Sequence, residues 1–247
     1  MARFSRDERD VTRFPRDVFL EEGWDYAPGE HVTVLAPSGF GKTQLSYDLL
    51  GVTMSKECPA VILVMKPRDD TVTRYTAKHK LRTVRDWPPT AGNAVARVFR
   101  DKPKGWVLWP RETGDPEADD ARHEAIFQRA IRERYRKGGT IVFADETYSL
   151  EREMGLTKDL NRIWTKGRSM GTGLWAASQR PRYISLWAYQ SHHLFLANDP
   201  DVESQKRLAD IGGGIEPEVV RSTLSRLKRF EFVYINRDER TMCIVEA

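Results

Sequence analysis

Near its start the chain carries a short apolar segment, a glycine-containing turn and a helix-forming segment in immediate succession. Residues 31–37 (HVTVLAP) are apolar and β-branched, which predicts a buried parallel strand. The turn at 36–43 (APSGFGKT) follows, and a helix is predicted from Lys42 to about Leu50. This matches the phosphate-binding loop pattern GxxxxGK[ST], with Ala36 in place of the first glycine. The feature predicts an α/β fold with a nucleotide site at a strand–helix turn.

Each part of this turn has a physical role in binding a nucleotide. The two glycines let the backbone turn tightly and direct its amides at phosphate oxygens, and the helix N-terminus adds positive potential. A lysine at this position reaches the β- and γ-phosphates, and the next hydroxyl binds Mg²⁺. The turn therefore predicts ATP and Mg²⁺ as ligands. The expected contacts are Pro37, Ser38, Gly39, Phe40, Gly41, Lys42, Thr43 and Gln44, with Thr43 on the metal.

A second buried strand ends in two acids. The segment 140–146 (TIVFADE) is apolar up to Asp145 and Glu146. An acid at this strand tip holds Mg²⁺ in P-loop ATPases, which makes Asp145 the predicted metal residue. A neighbouring carboxylate can accept a proton from the attacking water, so Glu146 is the predicted catalytic base. Because transfer to a small acceptor does not require such a base, the pair favours an ATPase over a nucleotide kinase or a GTP switch.

The next strand and the turn before it supply two further candidates. Residues 173–179 (GLWAASQ) end in Gln179, which would face the γ-phosphate or the lytic water if this strand neighbours the P-loop strand. Arg168, in the preceding turn, is a candidate arginine finger that reaches the nucleotide of a neighbouring subunit. Arg162 and Arg180 are its possible substitutes. A finger of this kind requires a ring of subunits.

The remaining pattern alternates buried strands with helices and predicts a mainly parallel sheet flanked by helices. We expect an N-terminal arm over 1–23 and one P-loop ATPase domain over 24–247. Further strands are predicted at 60–67, 95–99, 105–110 and 192–198, and a terminal β-hairpin at 230–247. Further helices are predicted at 68–85, 125–137, 150–170, 201–211 and 216–226. The two cysteines lie far apart outside any CxxC pattern, and we expect free thiols.

The charge balance permits a polyanionic partner without requiring one. Lysine and arginine number 40 against 36 acids, a net charge of +4. The candidate contacts with nucleic acid, which could equally form a solvated face, are Lys66, Arg68, Arg74, Lys78, Lys80, Lys102 and Lys104. Tyr26, just before the P-loop strand, could stack on adenine or pack in the core. With neither an apolar run of about 18 residues nor a secretory signal, we expect a cytoplasmic protein without membrane contact.

Three segments together resemble the FtsK/HerA family of DNA-pumping ATPases. They are residues 28–43 (PGEHVTVLAPSGFGKT), 141–146 (IVFADE) and 167–181 (GRSMGTGLWAASQRP), with Ser178 where that family usually has threonine. The resemblance implies an ASCE/RecA-like core and a homo-oligomeric ring of five or six subunits that threads double-stranded DNA. The compact length looks like that of viral genome-packaging ATPases. It implies a motor that docks on a viral portal or capsid vertex in the host cytoplasm.

Other functions remain open at this point. A conjugation, secretion or chromosome-segregation motor would use the same core. A small-molecule kinase would need a mobile arginine-rich lid, and Glu146 would have less to do there. A nucleotide-dependent structural module without turnover is disfavoured by the intact Lys42, Thr43 and Asp145. Hydrolysis that DNA does not stimulate would favour the last two classes.

Overall fold

A computed structural model of the chain describes residues 11–89, 103–179, 185–210 and 214–247. Within these ranges ten strands form one sheet, in the order β1-β10-β9-β8-β2-β7-β6-β3-β5-β4. The strands are β1 (Arg13–Phe14), β2 (Val32–Leu35), β3 (Ala60–Leu63), β4 (Arg82–Val84), β5 (Gly105–Leu108), β6 (Thr140–Ala144), β7 (Thr172–Ser178), β8 (His193–Leu196), β9 (Phe232–Asn236) and β10 (Thr241–Val245). The predicted α/β class is confirmed.

Helices separate the strands along the chain. They are α1 (Arg16–Val18), α2 (Lys42–Thr53), α3 (Asp70–Lys78), α4 (Pro116–Lys137), α5 (Thr157–Lys166), α6 (Val202–Asp210) and α7 (Pro217–Ser225). A π-helical turn, Phe19–Gly23, continues α1, and a second, Ser149–Glu153, follows β6. Alternate residues of the central strands join two different apolar clusters, with Val61 in one and Ile62 in the other. Both faces of the sheet are therefore buried, as a parallel sheet requires.

The strands from β8 to β4 are all parallel to their neighbours, so their carboxyl ends meet at one edge. Strand β7 lies between β2 and β6, with Leu35 opposite Ser178 and Ala144 opposite Ala176. This order brings the P-loop, the tip with the two acids and the end of β7 side by side. Strands β9 and β10 pair antiparallel and confirm the predicted C-terminal hairpin.

Two predicted helices are shorter than expected. The helix predicted over 68–85 ends at Lys78, because Lys80 adopts a left-handed backbone (φ +54°) and the chain then enters β4. The helix predicted over 150–170 is interrupted at Gly155 (φ +65°), and α5 begins only at Thr157.

One helix is longer than predicted. The sequence placed its start at 125, whereas α4 begins at Pro116, where the Asp115 side chain accepts a hydrogen bond from the Ala118 amide. The strand predicted at 95–99, together with Lys102 and Arg180, lies outside the described residues.

The described part of the N-terminal segment is docked on the sheet. Arg13 pairs with Ile244 in β10, parallel to it. Phe19 is fully buried and packs edge-on against Phe195 and Tyr234. The boundary expected between residues 23 and 24 remains a prediction.

The structure also bears on the predictions about the cysteines and about membrane-spanning helices. Cys58 and Cys243 are free thiols, half-buried and buried respectively. Within the described ranges, no helix combines the length and the apolar character that crossing a bilayer requires.

Candidate active site

The loop between β2 and α2 has the backbone form that phosphate binding needs. Gly39 and Gly41 adopt left-handed conformations, φ +77° and +83°, which are strained for any residue with a side chain. A Cβ on Gly41 would also stand 2.9 Å from Cδ1 of Phe230. The loop therefore depends on glycine at this position for its conformation and for its packing.

Lys42, the first residue of α2, directs a buried cation into the site. Its side chain is only 6% exposed. Burial lowers its pKa, and the nearby Asp145 and Glu146 carboxylates act in the opposite direction. An ammonium group that has lost hydration in this way favours a strongly anionic partner, as a polyphosphate is.

Asp145 faces the start of the same helix. The Thr43 hydroxyl donates to its Oδ1 at 3.2 Å, and Nζ of Lys66 lies 4.0 Å from its Oδ2. The carboxyl group is 6% exposed, and burial raises its pKa against the opposing influence of Lys66 and Lys42. A buried carboxylate held beside a hydroxyl and two cations is positioned to bind a ligand.

The residues present fit a magnesium ion. Mg²⁺ prefers oxygen ligands, and it commonly uses one or two protein groups with water and phosphate oxygens completing its shell. The Thr43 hydroxyl and the Asp145 carboxylate offer such oxygens in direct contact. No larger cluster of metal-ligating side chains occurs in the parts of the chain that the structure describes. Thr43 and Asp145 are thus the residues that would hold the ion.

Glu146 is held by the neighbouring strand. The Ser178 hydroxyl at the end of β7 donates to its Oε1 at 3.4 Å, and the Gln179 side chain also hydrogen-bonds to it. Burial raises the pKa of Glu146, while Lys42 opposes this shift. The predicted base and the predicted sensor Gln179 are in contact, beside the P-loop, because β7 separates β2 from β6.

Arg168 lies at the other edge of the sheet. It belongs to the 3-10 turn Arg168–Met170 that precedes β7, its side chain is 66% exposed, and its guanidinium lies 3.7 Å from Asp238. Strand β7 spans seven residues, about 20 Å, between this turn and the P-loop edge. Arg168 therefore cannot reach the P-loop of its own subunit.

The basic residues predicted to contact DNA do not form one surface. Lys66 and Arg68 follow β3 at the P-loop edge, and Lys66 pairs with Asp69 at 3.1 Å beside Asp145. Lys78, Lys80 and Lys104 instead line a cavity of about 330 Å³ at the opposite edge. The guanidinium of Arg74 lies over the Tyr75 ring. Lys66 thus lies beside the predicted metal residue Asp145, and its assignment as a DNA contact remains a prediction.

The structure also has a larger basic groove that the sequence analysis did not predict. It lies between α4 and α5, has a volume of about 820 Å³, and carries five cationic side chains. These residues are Arg129, Arg132, Arg136, Arg162 and Lys166. They are spread over two helices at one-turn spacings, so only the packing of α4 on α5 brings them together.

Two residues beside the P-loop were also missed. Arg229 donates from Nε and Nη2 to the Gly39 carbonyl at 3.1 and 3.0 Å, and Phe230 packs on Gly41. Both precede β9, almost 190 positions away in sequence, and no local pattern marks them. Tyr26 lies in an aromatic cluster with Trp24 and Trp175 at the amino end of the strands, so it packs in the core and cannot stack on a base at the P-loop.

Solved structures of low sequence identity share this fold. The genome packaging NTPase B204 from Sulfolobus turreted icosahedral virus 2, in complex with ATP-gammaS, matches at a TM-score of 0.58 and 14% identity. That match covers 89% of this chain and 98% of B204. VirB4 of Thermoanaerobacter pseudethanolicus matches at a TM-score of 0.61 and 10% identity, over 87% of this chain and 88% of VirB4.

A third similar structure is the cytoplasmic domain of the type VII secretion ATPase EccC from Thermomonospora curvata. Its TM-score is 0.51 at 16% identity, and the match covers 90% of this chain and 25% of that one. Neither the protein-family models nor the curated proteins contain a match to this sequence. These likenesses show that the chain has the fold of the P-loop ATPases.

We predict that Glu146→Gln raises stability at neutral pH. The folded-state pKa of Glu146 is raised above its ordinary value, so its charged form destabilises the fold above that pKa and ceases to do so as the pH falls through it. The amide removes this charge. We expect a thermal midpoint higher than wild type by up to about 3 °C at pH 7.5.

The same measurement near pH 5 should give a smaller difference. Glu153→Gln, at an exposed position in the π-helical turn that follows β6, is the matched control and should leave the midpoint unchanged. An equal or lower midpoint for Glu146→Gln at pH 7.5 contradicts the assignment of a costly buried charge.

Proposed function

We propose that this protein is an ATPase that hydrolyses ATP to drive the translocation of double-stranded DNA. The observation that carries the proposal is the position of Glu146. It is held by Ser178 and Gln179 at the strand tip beside the P-loop, and Lys42 and Asp145 lie next to it. A base placed there serves the attack of water on a terminal phosphate.

In this proposal the residues divide the work. The backbone of the loop and Lys42 bind the phosphates, while Thr43 and Asp145 hold Mg²⁺, which neutralises charge on the phosphate oxygens. Glu146 accepts the proton of the attacking water. Its raised pKa makes its carboxylate a stronger base than that of an exposed glutamate. Gln179 contacts Glu146 and is positioned to respond when the γ-phosphate departs.

The names of the similar structures divide between two kinds of motor. B204 is named as a genome packaging NTPase and a DNA-packaging ATPase, and EccC as a secretion ATPase. The B204 match covers 89% of this chain and 98% of B204, and the VirB4 match covers 87% and 88%. We propose packaging of a viral genome, at a portal or capsid vertex in the host cytoplasm, with a conjugation or secretion role as the alternative.

The first test is steady-state ATP hydrolysis with and without double-stranded DNA. We expect stimulation by DNA of any sequence, since a translocating motor must grip phosphates and not bases. Glu146→Gln should lower turnover by about 10²-fold or more, because the general base is lost, while nucleotide binding persists.

The exposed Glu153→Gln variant serves as the control and should hydrolyse ATP at the wild-type rate. Equal turnover by Glu146→Gln and wild type contradicts the base. Equal wild-type turnover with and without DNA contradicts the motor and favours a kinase or a DNA-independent ATPase.

Arg168 leads to a proposal about assembly. Because it is exposed at the edge opposite its own P-loop, it would act on the nucleotide of a neighbouring subunit. This requires a homo-oligomeric ring, for which we propose five or six subunits. Arg162 is a weaker candidate, since it lies near the buried Asp159 of its own subunit.

If Arg168 acts on the nucleotide of a neighbouring subunit, two inactive variants should complement each other in a mixed ring. Arg168→Ala and Glu146→Gln should each abolish hydrolysis alone. Rings assembled from a mixture contain interfaces with an intact Glu146 on one side and an intact Arg168 on the other, so activity should return in part. An Arg162→Ala variant, assayed without DNA, is the control and should stay active. A mixture that forms mixed rings but shows no activity contradicts the trans finger.

We propose the groove between α4 and α5 as the DNA contact. It gathers five cations, whereas the basic residues predicted from the sequence are divided between two edges. Asp159 offsets part of this charge through Arg132 and Arg162. Asp86 offsets a further part through Arg129. Arg136 and Lys166 remain for phosphate contacts; Arg136 donates only to the Arg132 carbonyl among its described hydrogen bonds.

The test is charge reversal in the groove between α4 and α5 and, separately, in the cavity lined by Lys78 and Lys104. Arg136→Glu with Lys166→Glu should weaken DNA binding and reduce the slope of log K against log salt by about 2, one unit for each phosphate contact. Lys78→Glu with Lys104→Glu, at the other cavity, is the matched control and should leave the slope unchanged. The reverse result assigns the contact to the α2–α3 edge.

A further inference from the structure

The strands on either side of the P-loop strand set the direction in which a bound nucleotide must lie. Strand β2 has β7 on one side and β8 on the other. Glu146 and Gln179 stand on the β7 side. If the terminal phosphate faces Glu146, the phosphate chain crosses the loop, and the nucleoside leaves on the β8 side. This step rests on the function proposed above.

The β8 side of the loop is occupied by the segment 226–231. This segment leads into β9, whose Val233 pairs with Leu196 at the carboxyl end of β8. It therefore lies at the P-loop edge. Arg229 donates from it to the Gly39 carbonyl, and the Phe230 ring lies where a Cβ on Gly41 would meet it.

These two side chains lie against each other. The Arg229 guanidinium lies over the Phe230 ring, 4.8 Å from its centroid, and the ring stays 36% exposed. Among the described residues, large apolar side chains with this exposure are few. An aromatic ring and a guanidinium plane are the groups on which nucleobases stack.

The backbone holds Phe230 in a conformation that non-glycine residues rarely adopt. Its φ is +72°, and such strain persists only where neighbouring contacts enforce it, which is often at functional sites. Here Arg16 donates to the Phe230 carbonyl at 2.9 Å, and Glu231 binds Arg13 at 2.5 Å and the Lys228 amide at 2.8 Å. The docked N-terminal segment thus braces Phe230.

We propose that Arg229 and Phe230 form the base-binding wall of the nucleotide site, on which the purine of ATP stacks. The wall recognises the base by its face, and the P-loop recognises the phosphates. The two parts of the nucleotide are therefore bound by separable groups. Loss of the wall should weaken binding of a nucleotide without weakening binding of a bare polyphosphate.

The test compares ATP with inorganic tripolyphosphate by titration calorimetry, in the Glu146→Gln protein, in which hydrolysis is expected to be slow. Phe230→Gly removes the ring and suits the left-handed backbone, so the fold should be retained. We expect ATP affinity to fall about tenfold, with tripolyphosphate affinity within about twofold of the parent. Phe230→Tyr, which keeps the ring, should restore ATP affinity.

Arg229 and its neighbour Lys228 provide a matched pair of variants. Arg229→Lys keeps the charge but loses the plane, and it should weaken ATP by several-fold while tripolyphosphate is unaffected. Lys228→Ala, at an exposed position in the same segment, should change neither ligand. Equal losses for ATP and tripolyphosphate, or no loss for either, overturn the wall. A parent protein that binds tripolyphosphate but not ATP overturns the proposed function itself.

Discussion

The site depends on a carboxylate that the fold has removed from water. Asp145 is almost wholly buried, and it is stabilised by the Thr43 hydroxyl and by two lysines, Lys42 and Lys66. An isolated buried charge is costly, so these groups must stay close together. They come from three separate segments, which follow the parallel strands β2, β3 and β6 and therefore meet at one edge of the sheet. The charge arrangement thus depends on these strands running in the same direction.

The parts of this site that the sequence predicts are those encoded locally. The P-loop, the acids after β6 and Gln179 after β7 each follow an apolar run that can only be a buried strand, and parallel strands end at one edge. The sequence analysis supposed that β7 neighbours β2, and the structure has this order. The contact between Glu146 and Gln179 was not predicted, because it depends on β7 also neighbouring β6.

Features that depend on distant packing could not be predicted. Arg229 reaches Gly39 across most of the chain, and the groove between α4 and α5 exists only when those helices pack. Lys66 looks like a member of a basic run, yet its position after β3 places it beside Asp145. The helix predicted over 68–85 ends early because Lys80 adopts a left-handed backbone. The sequence does not indicate this conformation at a lysine. Local propensity decides element type, while tertiary contacts decide ends and partners.

The central claim is that the nucleotide lies across the P-loop with its terminal phosphate at Glu146. A crystal structure of Glu146→Gln with Mg²⁺ and ATP tests it most directly. The account predicts the γ-phosphate next to residue 146 and Gln179, a metal between Thr43 and Asp145, and the base against Arg229 and Phe230. A nucleotide that lies in the opposite direction, with its base toward β6, would contradict it.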